Sequence, residues 1–143
     1  MLSEQTFLNK EIIRTMEVLV LDDCPDTLNI ISGYLSSSYY LNVNCFTLEN
    51  DALASYVASK PDLVIIDMNL MNLDGIRVSI LFKQLSPIEI PFIFISQNED
   101  KKKEVENFYG IESLFLRKPL NRNELLMTVF NSLYYKKERR HVC

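Results

Sequence analysis

Five side chains able to do chemistry stand at the ends of apolar runs. Asp22 and Asp23 follow "MEVLVL", Asp67 closes "DLVIID", Ser96 closes "PFIFIS", and Lys118, with Pro119 behind it, follows "SLFLR". Carboxylates drawn together repel, so each resists ionising until a counter-charge is supplied. Hard divalent cations with oxygen ligands relieve that repulsion, and Mg²⁺ suits one or two carboxylates completed by water. Each residue also has a plain reading. Asp22 or Asp23 would cap a helix beginning at Pro25, Asp67 would be a loop acid, Ser96 a strand-end hydroxyl and Lys118 a solvated charge. Their joint occurrence, each at the same end of its own run, argues for one shared site.

The elements that must position these groups alternate along the chain. Strands are expected at 16–23, 41–46, 62–67, 91–96 and 113–117 from continuous or alternating apolar patterns. Helices are expected at 25–39, 49–60, 75–85, 99–110 and 122–137. Pro25 suits a first helical turn, Lys60-Pro61 and Gly110 suit helix ends, and Leu125, Leu126, Val129, Phe130 and Leu133 share one face. Five such β/α units predict an α/β fold, a mainly parallel sheet with helices on both faces. Runs as apolar as "VLVL", "LVII" and "FIFI" fit strands buried on both sides. Open sheets of this kind bind ligands at the carboxyl ends of their strands. In the doubly wound order 2-1-3-4-5, the first and third strands are neighbours about 4.8 Å apart. Asp22, Asp23 and Asp67 then crowd together, Ser96 lies one strand from Asp67, and Lys118 lies two strands away.

Composition narrows the classes of function. The chain has 143 residues, 48% hydrophobic and 24% charged, which suits one packed domain. A net charge of −4 without a basic face speaks against direct nucleic-acid binding. The apolar runs are too short to span a membrane, and no signal peptide is visible, so a cytoplasmic location is expected. Cys24, Cys45 and Cys143 lack metal-ligand spacing and read as reduced thiols. His141 is the single histidine, which disfavours a histidine-based metal site or triad. Residues 1–15 read as a short extra helix or arm, 16–137 as the domain, and 138–143 as a basic tail.

The ordered set of strand-end residues resembles the receiver domain of two-component response regulators, a flavodoxin-like fold, over about residues 16–137. Asp22-Asp23 matches the acidic pair, Asp67 in "DMNLMNLDG" the phosphoacceptor, Ser96 the hydroxyl after the fourth strand, and Phe115, ahead of Lys118-Pro119, the aromatic of the fifth. The resemblance implies that Asp67 takes a phosphoryl group from the phosphohistidine of a sensor histidine kinase or phosphotransfer protein. It implies Mg²⁺ held by Asp23, Asp67 and the backbone carbonyl of Asn69, with Asp22 acting through water. Lys118 would pair with the phosphoryl group, Ser96 would hydrogen-bond to it, and the Lys118-Pro119 bond would be cis. Such a protein accepts a phosphoryl group and loses it again; it is not a dedicated enzyme.

Two positions depart from the family pattern. Met71 stands where a proline is usual, and Gln97 where a small residue is usual. Asn69, Gln97 and Asn98 are therefore expected to tune the lifetime of the phosphoryl group. Ser96 and Phe115 form the expected switch, acting on a face built from residues 99–137 that would bind a downstream protein or a second copy. The alternatives are a receiver fold kept only as an interaction module and a Mg²⁺-dependent aspartyl phosphatase. The phosphatase usually needs an acid where Asn69 stands, and a cap domain. Met1 is read as a natural start, while "KKERRHVC" is either a true terminus or a truncation.

Overall fold

The structure, a computed structural model, describes residues 15–86, 89–110 and 114–142, the last eight through their backbone alone. The expected arm at 1–15 lies outside the described residues except for Thr15. Five strands, β1 (Met16–Leu21), β2 (Leu41–Phe46), β3 (Leu63–Asp67), β4 (Phe92–Ser96) and β5 (Leu114–Arg117), form one parallel sheet in the order β2-β1-β3-β4-β5. Five helices alternate with them: α1 (Pro25–Leu35), α2 (Glu49–Ser59), α3 (Gly75–Leu85), α4 (Asp100–Tyr109) and α5 (Arg122–Val142). The α/β class and the strand order are those expected from the sequence.

The element ends follow local chemistry. Pro25 opens α1, where its missing N–H costs nothing. The helix stops at Leu35, short of the expected 39, where Ser36 and Ser38 return their N–H groups to Ser32 O and Leu35 O. Lys60 takes a left-handed conformation (φ 49°) at the end of α2, just ahead of Pro61. Gly110 ends α4 at φ 100°, a value that a side chain would disfavour. Asp74 caps α3 by accepting the Arg77 N–H, and Asn121 accepts the Glu124 N–H at the start of α5. The last helix runs to Val142 rather than ending near 137, so the stretch read as a tail continues it.

Both faces of the sheet are covered. Val18, Val20, Ile65, Ile93 and Ile95 pack with α1 and α5, and Leu19, Leu21, Val64, Ile66, Phe92 and Phe94 pack with α2, α3 and α4. Burying each such side chain contributes on the order of 1.5–3 kcal/mol. Register then sets the site. Leu21 pairs with Ile66, and Asp67 pairs with Ile95, so the carboxyl ends of β1, β3 and β4, with Asp22, Asp67 and Ser96, emerge side by side.

Candidate functional site

Asp22, Asp23 and Asp67 present carboxylate oxygens that all lie within 4.8 Å of one another. Asp22 is wholly buried and Asp67 is 4% exposed, while Asp23 is half-buried. Neither Asp22 nor Asp23 caps α1. The cap position belongs to Cys24, whose side chain makes no capping bond, and whose N–H donates to Asp22 Oδ1 (2.9 Å). Asp22 is instead turned into the site. Its Oδ2 accepts no directed hydrogen bond, and its partner is the Lys118 ammonium at 2.8 Å.

The same ammonium lies 3.7 Å from Asp67 Oδ2. Lys118 is carried there by β5. Its N–H donates to Ser96 O (2.8 Å), and the following bond to Pro119 is cis. The Asp67 carboxyl is pushed up to about 6, first by burial, then by the charge of Asp22, with Lys118 and the Asn69 N–H pulling the other way. Burial does most of this, and the Asp22 charge adds repulsion that one ammonium does not offset. Buried carboxylates of one sign, an incompletely satisfied Asp22 oxygen and an all-oxygen donor set fit a hard divalent cation of the Mg²⁺ type.

Ser96 is fully buried next to Asp67 on the adjoining strand, and its Oγ accepts the Asn98 N–H (3.0 Å). Asn98 is committed to its own loop, its Oδ1 accepting the Asp100 N–H (2.9 Å). Gln97 is exposed and lines an open groove of about 460 Å³ with Thr27, Ile30, Tyr34, Lys118 and Leu120. Phe115 lies apart from the carboxylates. It is half-buried on β5, paired in register with Phe94, and packs on the side of the sheet covered by α2, α3 and α4. Cys24 and Cys45 are free thiols; Cys143 lies outside the described residues.

Sequence patterning does not show what holds the loop after β3. Asn69 and Asp74 form an isolated bridge, and the Gly75 N–H donates to Met68 O (3.0 Å). A Cβ on Gly75 would sit 2.6 Å from Asp67 O. Only glycine lets α3 start this close beneath the Asp67 backbone. "DG" is legible as a turn signal, but the approach to Asp67 is a tertiary fact.

Comparison with known proteins agrees with this geometry. The family model for the response regulator receiver domain matches residues 18–130. The nitrogen assimilation regulatory protein NtrX of Azorhizobium caulinodans is 27% identical over 128 residues, covering 88% of this chain and 28% of that protein. The sensor histidine kinase RcsC of Escherichia coli K12 is 31% identical over 130 residues, covering 87% and 13%. A crystal structure of a CheY-like receiver domain protein from Methanospirillum hungatei JF-1 superposes with a TM-score of 0.77 at 18% identity, covering 87% of this chain and 98% of that one. The chain spans between 12 and 28% of the length of the first curated relatives it matches. Among the described residues no helix is long and apolar enough to cross a membrane. With the family model spanning most of the sequence, the chain belongs to the response regulator receiver domain family of two-component signalling.

Proposed function

We propose that Asp67 is the phosphoacceptor of a two-component phosphorelay and that its phosphorylation switches a binding face formed by α4, β5 and α5. One observation carries the reading: the buried Asp67 carboxylate faces the Lys118 ammonium at 3.7 Å within a three-carboxylate cluster. A carboxyl that titrates near 6 is mostly ionised at neutral pH and available as a nucleophile. Its oxygen forms the new bond to phosphorus while the P–N bond of a donor phosphohistidine breaks. The leaving imidazole keeps the electron pair and takes a proton. Mg²⁺ on Asp23, Asp67 and the Asn69 carbonyl would neutralise phosphoryl oxygens during transfer. Lys118, now paired mainly with Asp22, turns toward the phosphoryl group, whose charge exceeds that of either carboxylate.

The switch follows from Ser96. Its Oγ accepts the Asn98 N–H and its own proton stays free, so the hydroxyl can donate to a phosphoryl oxygen by shifting toward Asp67 while keeping the Asn98 bond. The β4–α4 loop is drawn along through Asn98, and Phe115 can swing into the space vacated. Phe115 has no hydroxyl, so burial alone favours its inward position. The donor is a sensor histidine kinase or a phosphotransfer protein, and the output is a downstream protein or a second copy of the chain. Asn69, Gln97 and Asn98 border the site and set how long the phosphoryl group survives.

Mass spectrometry after incubation with acetyl phosphate and Mg²⁺ tests the assignment. One phosphoryl group is expected on the chain, and none on a folded Asp67→Asn variant. Uptake by the variant at the parent level would sink it.

A further inference from the structure

The loop after β3 lacks a stiffening proline, and Met71 at its tip is 80% exposed. Yet this loop carries the Asn69 carbonyl. Glu49, in the first turn of α2, is buried at 9% exposure although it bears a charge. Its carboxylate faces the loop. Oε1 accepts the Asn72 N–H (3.4 Å), and Oε2 accepts the Asn72 side-chain amide (3.3 Å). A buried carboxylate is tolerated only when its oxygens are matched. Here among the described residues its hydrogen-bond donors are both on Asn72, helped by the positive end of the α2 dipole.

We infer that Glu49 and Asn72 form a clasp that positions the β3–α3 loop for metal and phosphoryl binding. The loop is already closed on itself by the Asn69–Asp74 bridge and the Gly75-to-Met68 bond. Those contacts fix its shape. The clasp fixes its place relative to α2, and so where the Asn69 carbonyl points. It does from outside the loop what a proline would do from within, which is to lower the number of conformations lost on binding. Glu49 and Asn72 touch neither the carboxylate cluster nor Lys118; they are positioning residues. The inference rests on the reading of Asp67 and its metal given above.

The test uses the full chain and two readouts, amide exchange at residues 68–74 without metal and Mg²⁺ affinity by calorimetry. Glu49→Ala is expected to speed exchange in the loop and weaken Mg²⁺ about tenfold, as loss of an outer-shell partner does. Glu49→Gln keeps an acceptor for Asn72 and should restore most of both. Asn72→Ala keeps the Glu49 charge, alters only an exposed side chain, and should move both readouts in the same direction as Glu49→Ala. Should Glu49→Ala fail to fold, Asn72→Ala alone decides. Unchanged exchange, or faster exchange with unchanged affinity, overturns the inference. So does equal weakening by Glu49→Ala and Glu49→Gln with Asn72→Ala silent, since charge alone would then act. If the unaltered chain binds no Mg²⁺, the earlier reading fails with it, a result distinct from variants that bind as the parent does.

Discussion

Helices α1 and α5 close one side of the sheet with branched aliphatic side chains, Leu28, Ile31 and Leu35 on the first, Leu125, Val129 and Leu133 on the second. The other side is closed with rings. Tyr56, Phe82, Phe92, Phe94 and Tyr109 follow one another at centroid separations of 4.7, 5.9, 6.3 and 5.5 Å. One helix of the ringed side stands out in how loosely it is held. Helix α1 buries Leu28, Ile31 and Leu35, and α2 and α3 on the ringed side bury at least as many residues, whereas α4 buries Val105 alone and leaves Phe108 exposed. Few buried contacts mean a low free energy of local opening. Helix α4, on the side that includes Phe115, is therefore where a rearrangement costs least. The aliphatic side holds the frame on which the carboxylates are mounted.

The most severe way to break this comparison is to hollow each side in turn. Ile31→Ala should cost about 2–5 kcal/mol and raise amide exchange throughout the domain. Val105→Ala should cost less, about 1–2 kcal/mol, and raise exchange chiefly over residues 100–109. Urea melts and exchange profiles read both. Equal costs with equally global exchange would mean that α4 is as much part of the frame as α1.

A smaller effect separates the site from both cores. The folded Asp67 carboxyl titrates near 6 against an unfolded value of 3.8. Between those values the native state binds more protons than the unfolded one, so stability falls as pH rises through that window. Above about 6 the penalty is complete. Asp67→Asn removes it, and without metal at pH 7.5 the variant should gain about 1–2 kcal/mol, less than the full shift because the site relaxes around the buried group. That corresponds to a melting temperature roughly 3–6 °C higher. Near pH 4 the advantage should shrink toward zero. An advantage that persists unchanged at pH 4 would place its cause outside Asp67 ionisation.

The division between legible and illegible follows from how far each feature depends on contacts distant in sequence. Apolar runs ending in Asp22, Asp67 and Ser96 are local, so the strands and their end residues are readable, whereas the order 2-1-3-4-5 is long-range and rests on its being a common doubly wound arrangement. β1 stops at Leu21 rather than Asp23 because the carboxylates turn into the site, which only the neighbouring strand demands. The closer approach of Lys118 to Asp22 than to Asp67, the clasp on Asn72 and the close approach at Gly75 all join segments far apart in the chain. The full length of α5 is illegible for a different reason: "KKERRH" carries no apolar stripe, so periodicity gives no signal there.

The finest test concerns a polar tie between α4 and α3 on the ringed side. Tyr109, in the last turn of α4, shares a hydrogen bond with Ser79 of α3. The Ser79 hydroxyl has one proton, which it donates to Ile76 O (2.6 Å), so Tyr109 must be the donor to Ser79. Lys83 adds its ammonium over the Tyr109 ring at 4.7 Å. Tyr109→Phe keeps the ring, the stack on Phe94 and the cation over its face, and removes only the hydroxyl. The expected loss is about 0.5–1.5 kcal/mol, felt as roughly fivefold faster exchange over residues 100–109 with the aliphatic side unmoved. If α4 must shift away from α3 when Ser96 turns to the phosphoryl group, the Tyr109 tie opposes that shift. Removing it should then tighten binding of beryllofluoride, a phosphoryl mimic, by a factor no larger than the exchange effect, since a population can move only by the difference between its states. NMR shifts on adding the mimic should spread from Asp67 to residues 96–117 in parent and variant alike. Shifts confined to the Asp67 loop would disconnect α4 from the site, and unaltered exchange in Tyr109→Phe would leave Val105 as its anchor and the tie without effect.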